Sequence, residues 1–120
     1  MSLSVFGLLL IIAIGPSHNP IGKRMAQDAE PLKEIVMASD GRVIPLAELG
    51  ICRMIERDGS VWKAVKLYEI YPFHLVFIKN GSLHDMLIEN INRIEIEKMK
   101  GFAVVFDSKN KPKIVSVPTH

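Results

Sequence analysis

Four histidines, one cysteine and a scatter of carboxylates are the side chains of this 120-residue sequence whose types could carry chemistry. His74 and His84 come nearest to metal-ligand spacing. Between them Asn80-Gly81, flanked by two apolar runs, signals a type I′ hairpin, because that turn needs φ > 0 at both central residues. The register it sets pairs Ile78 with Leu83, Phe77 with His84, Leu75 with Met86 and His74 with Leu87. His74 and His84 therefore point to opposite faces of the hairpin and cannot share an ion. No cysteine or carboxylate stands at ligand spacing beside either. His18 and His120 lie in tail-like segments, so all four read as structural and no metal is expected.

The other constellations fail on geometry. Ser82, His84 and Asp85 are the right types for a catalytic triad, but triads converge from separated segments, and neighbours on one strand face alternate ways. Glu89, Glu95 and Glu97, set among Ile94 and Ile96, look like a solvated strand face rather than paired catalytic carboxylates. Cys52 sits among Ile51, Met54 and Ile55 and reads as a buried, inert thiol; a lone cysteine also excludes an internal disulfide. Gly15 through Gly22-Lys23 superficially resembles a phosphate-binding loop. The spacing is two residues too long for G-x-x-x-x-G-K-[ST], Arg24 replaces the Ser/Thr, and Pro16 and Pro20 remove two N–H donors. No catalytic or cofactor-binding residue is assigned, no cofactor is expected, and the chain does not read as an enzyme.

Charge says little about partners. A net charge of +2 is too small to drive an electrostatic association. Lys23-Arg24, Lys98 and Lys100, and the cluster Lys109, Lys111 and Lys113 lack the interleaved aromatics of a single-strand groove, so nucleic acid is not the expected partner.

The elements that position these residues emerge from turns and alternation. Leu32 to Ala38 reads as a strand, Ser39-Asp40-Gly41 as a turn, and Arg42 to Pro45 as a short strand that ends or lies at an edge, since proline cannot donate to a ladder. Leu46 to Leu49 reads as one helical turn closed by Gly50. Strands are expected over Ile51–Glu56, Val61–Ile70 and the two arms of the hairpin. Phe73, Leu75, Phe77, His84, Met86 and Ile88 form the hairpin's core face; its other face is mixed, which points to a central hairpin covered in part on both sides. Ile88, Ile91 and Ile94 recur every three residues and Ile94 and Ile96 every two, which a tight turn at Glu89–Asn92 leading into a strand satisfies. Phe102–Phe106 is a further strand. Lys111–Val117 reads as a final edge strand blunted by Pro112 and Pro118. The whole is a mainly β domain, a small antiparallel barrel or sandwich over residues 32–120.

Residues 1–31 read as an apolar signal-like or anchor-like segment and linker. Val5 to Ile14 is a continuous apolar run about half as long as the roughly 20 residues a membrane helix needs. It fits the apolar part of an export signal but lacks the positive residues before it. Lys23 and Arg24 would hold its C-terminal side in the cytoplasm, against export of the β domain beyond it. The alternative is a buried strand or helix of the fold.

Trp62, Tyr68, Tyr71 and Phe73 sit on or beside one strand and are candidate interface anchors, or else the second half of the core.

The segment Val65-Lys66-Leu67, Glu69-Ile70, Pro72, Leu75-Val76-Phe77 and Lys79-Asn80-Gly81, with the strand to Ile88, resembles the end of a small periplasmic β-domain. That domain is the homology region of general secretion pathway protein C and of pilus assembly protein P, inner-membrane proteins with a short cytoplasmic segment and an anchor. The likeness covers about a quarter of the chain. This chain departs from it in its shorter apolar run and in the strands after Glu97. The resemblance implies a non-catalytic β-module that docks other envelope proteins, in an assembly or secretion complex. The partner expected is another protein or a second copy, and the apolar run at residues 5–14 is the expected membrane contact. The second expectation is a cytoplasmic Sm-like or SH3-like barrel that binds nucleic acid or a small ligand.

Overall fold

A computed structural model describes residues 30–118. The apolar run Val5–Ile14, the Gly15–Lys23 segment, His18 and His120 lie outside the described residues. Among the described residues nine strands form one mixed sheet: β1 (Glu34–Met37), β2 (Val43–Pro45), β3 (Cys52–Glu56), β4 (Val61–Ile70), β5 (His74–Lys79), β6 (Ser82–Leu87), β7 (Ile91–Ile96), β8 (Phe102–Phe106) and β9 (Pro112–Ser116). Their order across the sheet is β2-β1-β9-β8-β7-β3-β4-β5-β6. Mainly β structure is as expected. The all-antiparallel expectation needs one correction, since β1 and β9 run parallel.

The sheet curls into a half-barrel. Just before β1, Leu32 reaches across to the end of β4, with the Leu32 amide donating to the Ile70 carbonyl at 2.8 Å and the Ile70 amide returning to Leu32 at 3.0 Å. Beside this rim, the Asn110 side chain donates to the Pro72 carbonyl at 3.0 Å. A 3₁₀ turn at Leu46–Leu49 packs against β4 and buries Leu46 and Leu49. At another junction Arg57 clasps the second 3₁₀ turn (Ile88–Asn90): its amide donates to Asn90 and its guanidinium to Glu89.

Curling requires bent strands, and β-bulges supply the bends. In β4, Trp62 pairs with Met54 and Val65 with Cys52, so the two inward residues stand three apart rather than two. Ala64, at φ 56°, takes up the extra residue. Tyr68 does the same lower down, where Leu67 pairs with Phe77 and Ile70 with Leu75. A third irregularity lies in β7, where Ile55 pairs with Arg93 and Glu56 with Ile91. Its inward residues Ile91, Ile94 and Ile96 thus combine a bulge with regular alternation. The period-three spacing of Ile91 and Ile94 is this bulge; the 3₁₀ turn ends at Asn90, not Asn92. One core results, with Met54, Val65, Leu75, Phe77, Ile94, Val104 and Ile114 all fully buried.

Two placements differ from expectation. Strand β9 is not an edge. It lies between β8 and β1, and β1 pairs only with Lys113 and Ile114, so the N–H that Pro112 lacks falls outside that ladder. The β5–β6 hairpin is not central either: among the described residues β6 is one edge of the sheet and β2, with its Pro45, the other.

Candidate functional site

The Asn80-Gly81 turn forms with φ 54° and 79°, and all four expected cross-strand pairs are present. On the inward face Leu75, Phe77 and Ile88 are buried, while His84 and Met86 are half-buried. Phe73, expected on that face, is instead 56% exposed, at the end of the ladder just before β5 begins at His74.

The four aromatic candidates split. Trp62 belongs to the core: its ring meets Phe77 at 5.2 Å in an edge-on arrangement and His84 at 5.6 Å, and its Nε1–H donates to Glu56 at 2.8 Å. Tyr71 is half-buried and stacks on His74 at 4.7 Å. Its hydroxyl donates to the Glu69 carboxylate at 2.8 Å, which pushes the phenol above its ordinary pKa. Tyr68, at 44%, and Phe73 are exposed.

A separate exposed apolar surface, which sequence alternation alone does not single out, lies on β6. On the outward face of β6, Leu83 is 62% and Leu87 48% exposed, with Asp85 between them. Half-buried Val76 and Ile78 of β5 stand behind them. A shallow open hollow of about 410 Å³, lined by Val76, Leu83, His84 and Asp85, wraps this edge. Large apolar side chains on an unpaired strand are the combination that sheet proteins ordinarily avoid.

A second concavity of about 600 Å³ crosses β3, β7 and β8 and is lined by Arg53, Arg93, Glu95, Glu97, Lys100, Phe102 and their neighbours. Its two arginines are turned onto one acid: Glu95 accepts from Arg93 at 3.0 Å and faces Arg53 at 3.5 Å. Three cations (Arg53, Arg93, Lys100) against two carboxylates (Glu95, Glu97) leave a net charge of +1. A phosphate-binding groove needs arginine forks free to bind an anion, and here they are partly engaged.

The remaining chemical candidates are isolated from one another. His74 and His84 stack on different aromatics, Tyr71 and Phe77, on the two faces of the hairpin. No three histidine, cysteine, aspartate or glutamate side chains converge as a metal site among the described residues. Cys52 is fully buried, and burial, with the Glu97 charge adding, pushes its thiol up to about 12. It is protonated and unreactive at neutral pH.

The chain matches no family model, no curated protein and no solved structure.

Proposed function

We propose that this chain is a non-catalytic β-module of the cell envelope that works by docking another protein. The observation that carries the reading is β6, an edge strand among the described residues, where Leu83 and Leu87 stand exposed on the outward face. An apolar edge left uncovered is an aggregation hazard, and exposed apolar patches mark interaction surfaces. The resemblance of residues 65–88 to the secretion and pilus-assembly β-domain supports the same role. The apolar run Val5–Ile14 supports membrane association. Among the described residues no helix is long and apolar enough to cross a membrane.

The alternative of a barrel that binds nucleic acid is less well supported, because the groove over β7 has nearly balanced charge. A photo-crosslinking residue placed at Leu83 of the full chain in cells tests the docking reading, with Val43 on the opposite edge as control. A discrete adduct from position 83 and none from 43 is expected; no adduct from 83 overturns the reading. Fractionation of the full chain against one starting at Gln27 tests location: the full chain is expected in the membrane fraction and the shortened one out of it.

A further inference from the structure

We infer that β6 receives an extended strand from its protein partner, and that the partner carries a lysine or arginine midway between two apolar residues. This rests on the docking reading above and specifies its chemistry.

In a hairpin closed by a two-residue turn, the residues flanking the turn exchange both backbone hydrogen bonds, and bonded and unbonded pairs then alternate. Lys79 and Ser82 flank the turn, so Ser82, His84 and Met86 bond to β5, while Leu83, Asp85 and Leu87 turn their N–H and C=O groups outward. The Ile88 amide donates to Phe73 at 2.9 Å, which continues the same alternation. The three residues with outward backbone are therefore the same three whose side chains stand on the exposed face. An added strand would gain its ladder from Leu83, Asp85 and Leu87 and meet their side chains directly across.

Charge selects the occupant. Asp85 is the only carboxylate of β6 and makes no ion pair with the described residues. A second copy of the chain, aligned antiparallel so that Leu83 meets Leu87, would set Asp85 against Asp85, and like charges directly opposite destabilise a pair. A strand of pattern apolar-x-basic-x-apolar places its cation opposite Asp85 and its apolar residues opposite the two leucines.

The test uses the full chain, isotope-labelled, titrated with the synthetic peptide TVTKTVT and with its Lys→Glu form, following amide exchange by NMR. Slowed exchange at Leu83, Asp85 and Leu87, with no change at Ser82, His84 and Met86, is expected with the lysine peptide. The glutamate form should bind about tenfold more weakly. Asp85→Lys, an exposed substitution, should reverse the preference between the two peptides. Equal protection by both peptides, or none, overturns the inference. So does protection already present without peptide in dilute protein, where the chain covers its own edge, or protection that rises with protein concentration, where a second copy does. A crosslinked partner at Leu83 together with absent peptide protection would leave docking standing and strand addition refuted.

Discussion

Trp62 and Phe77 meet at 5.2 Å with their rings 76° apart, and this contact fastens the β5–β6 hairpin to the wall of the half-barrel. Trp62 sits at the β3–β4 seam opposite Met54, and Phe77 stands fully buried on the next strand over. The indole serves both sides of the junction, since its N–H is tied to Glu56 on β3. Trp62→Ala should therefore lower stability by about 3 kcal/mol, the low end for a large aromatic because the ring is only half-buried. Trp62→Phe keeps much of the packing and loses the hydrogen bond, at a cost of about 1 kcal/mol. Urea unfolding of the two variants separates packing from hydrogen bonding.

The bulge that brings Trp62 inward depends on Ala64, which holds φ 56° without being glycine. A left-handed conformation costs a non-glycine residue about 1–2 kcal/mol, while glycine adds a comparable entropy to the unfolded chain. Ala64→Gly is expected to be neutral or slightly stabilising. Ala64→Val, β-branched at a left-handed position, should destabilise by about 2 kcal/mol. Thermal unfolding of the pair checks this; a valine variant as stable as the parent would mean that the bulge moves elsewhere at no cost.

Strand positions and the hairpin register are legible in the sequence because glycine, asparagine and proline mark turns by backbone chemistry alone. Asn80-Gly81 specifies the cross-strand pairs from two residues, and they are present. What alternation cannot show is where it breaks. Trp62 and Val65, then Leu67 and Ile70, are inward at spacings of three, which a regular ladder forbids and a bulge permits. Strand order is hidden for a related reason. Pro112 and its neighbouring lysines have the composition of an edge, yet β9 is paired on both sides, because its contact with β1 is only two residues long and begins after the proline. The candidate site is half visible. Tyr68 and Phe73 stand out by residue type and are exposed, whereas the mixed character of Leu83, Asp85 and Leu87 reads as two-sided cover. A free edge produces the same mixture, and only the strand order tells them apart.

Cys52 gives a pH dependence with a definite sign. Its thiol is raised from 9.0 to about 12 in the folded protein, so above about pH 9 the unfolded chain releases a proton that the folded chain retains. Stability contributed by the buried thiol is then present in full below pH 9 and lost progressively between 9 and about 12. Cys52→Ala removes this group, at a packing cost of about 1 kcal/mol at neutral pH. The parent's advantage over the variant should shrink and then reverse as the pH is raised through that window. Thiol reagents at pH 8 should label the parent only as it unfolds; rapid labelling of folded protein would contradict the burial.

The closure of the half-barrel rests on two backbone hydrogen bonds between Leu32 and Ile70, and backbone and side chain can be tested apart there. The Leu32 side chain is 41% exposed, so Leu32→Ala should change stability by no more than about 0.5 kcal/mol. Leu32→Pro removes the N–H that donates to the Ile70 carbonyl at 2.8 Å and leaves that acceptor without its strand partner, at a cost of about 1–3 kcal/mol. Because the Leu32 carbonyl survives in the proline variant, the Ile70 amide keeps its acceptor. Hydrogen exchange should then quicken at Ile70 less than unfolding measurements alone would suggest. Equal stability of the alanine and proline variants would show that the rim is held by the neighbouring Lys33–Glu69 ion pair at 3.5 Å and the Asn110–Pro72 contact instead. That outcome is not expected, since Lys33 is largely in solvent and an exposed ion pair contributes little.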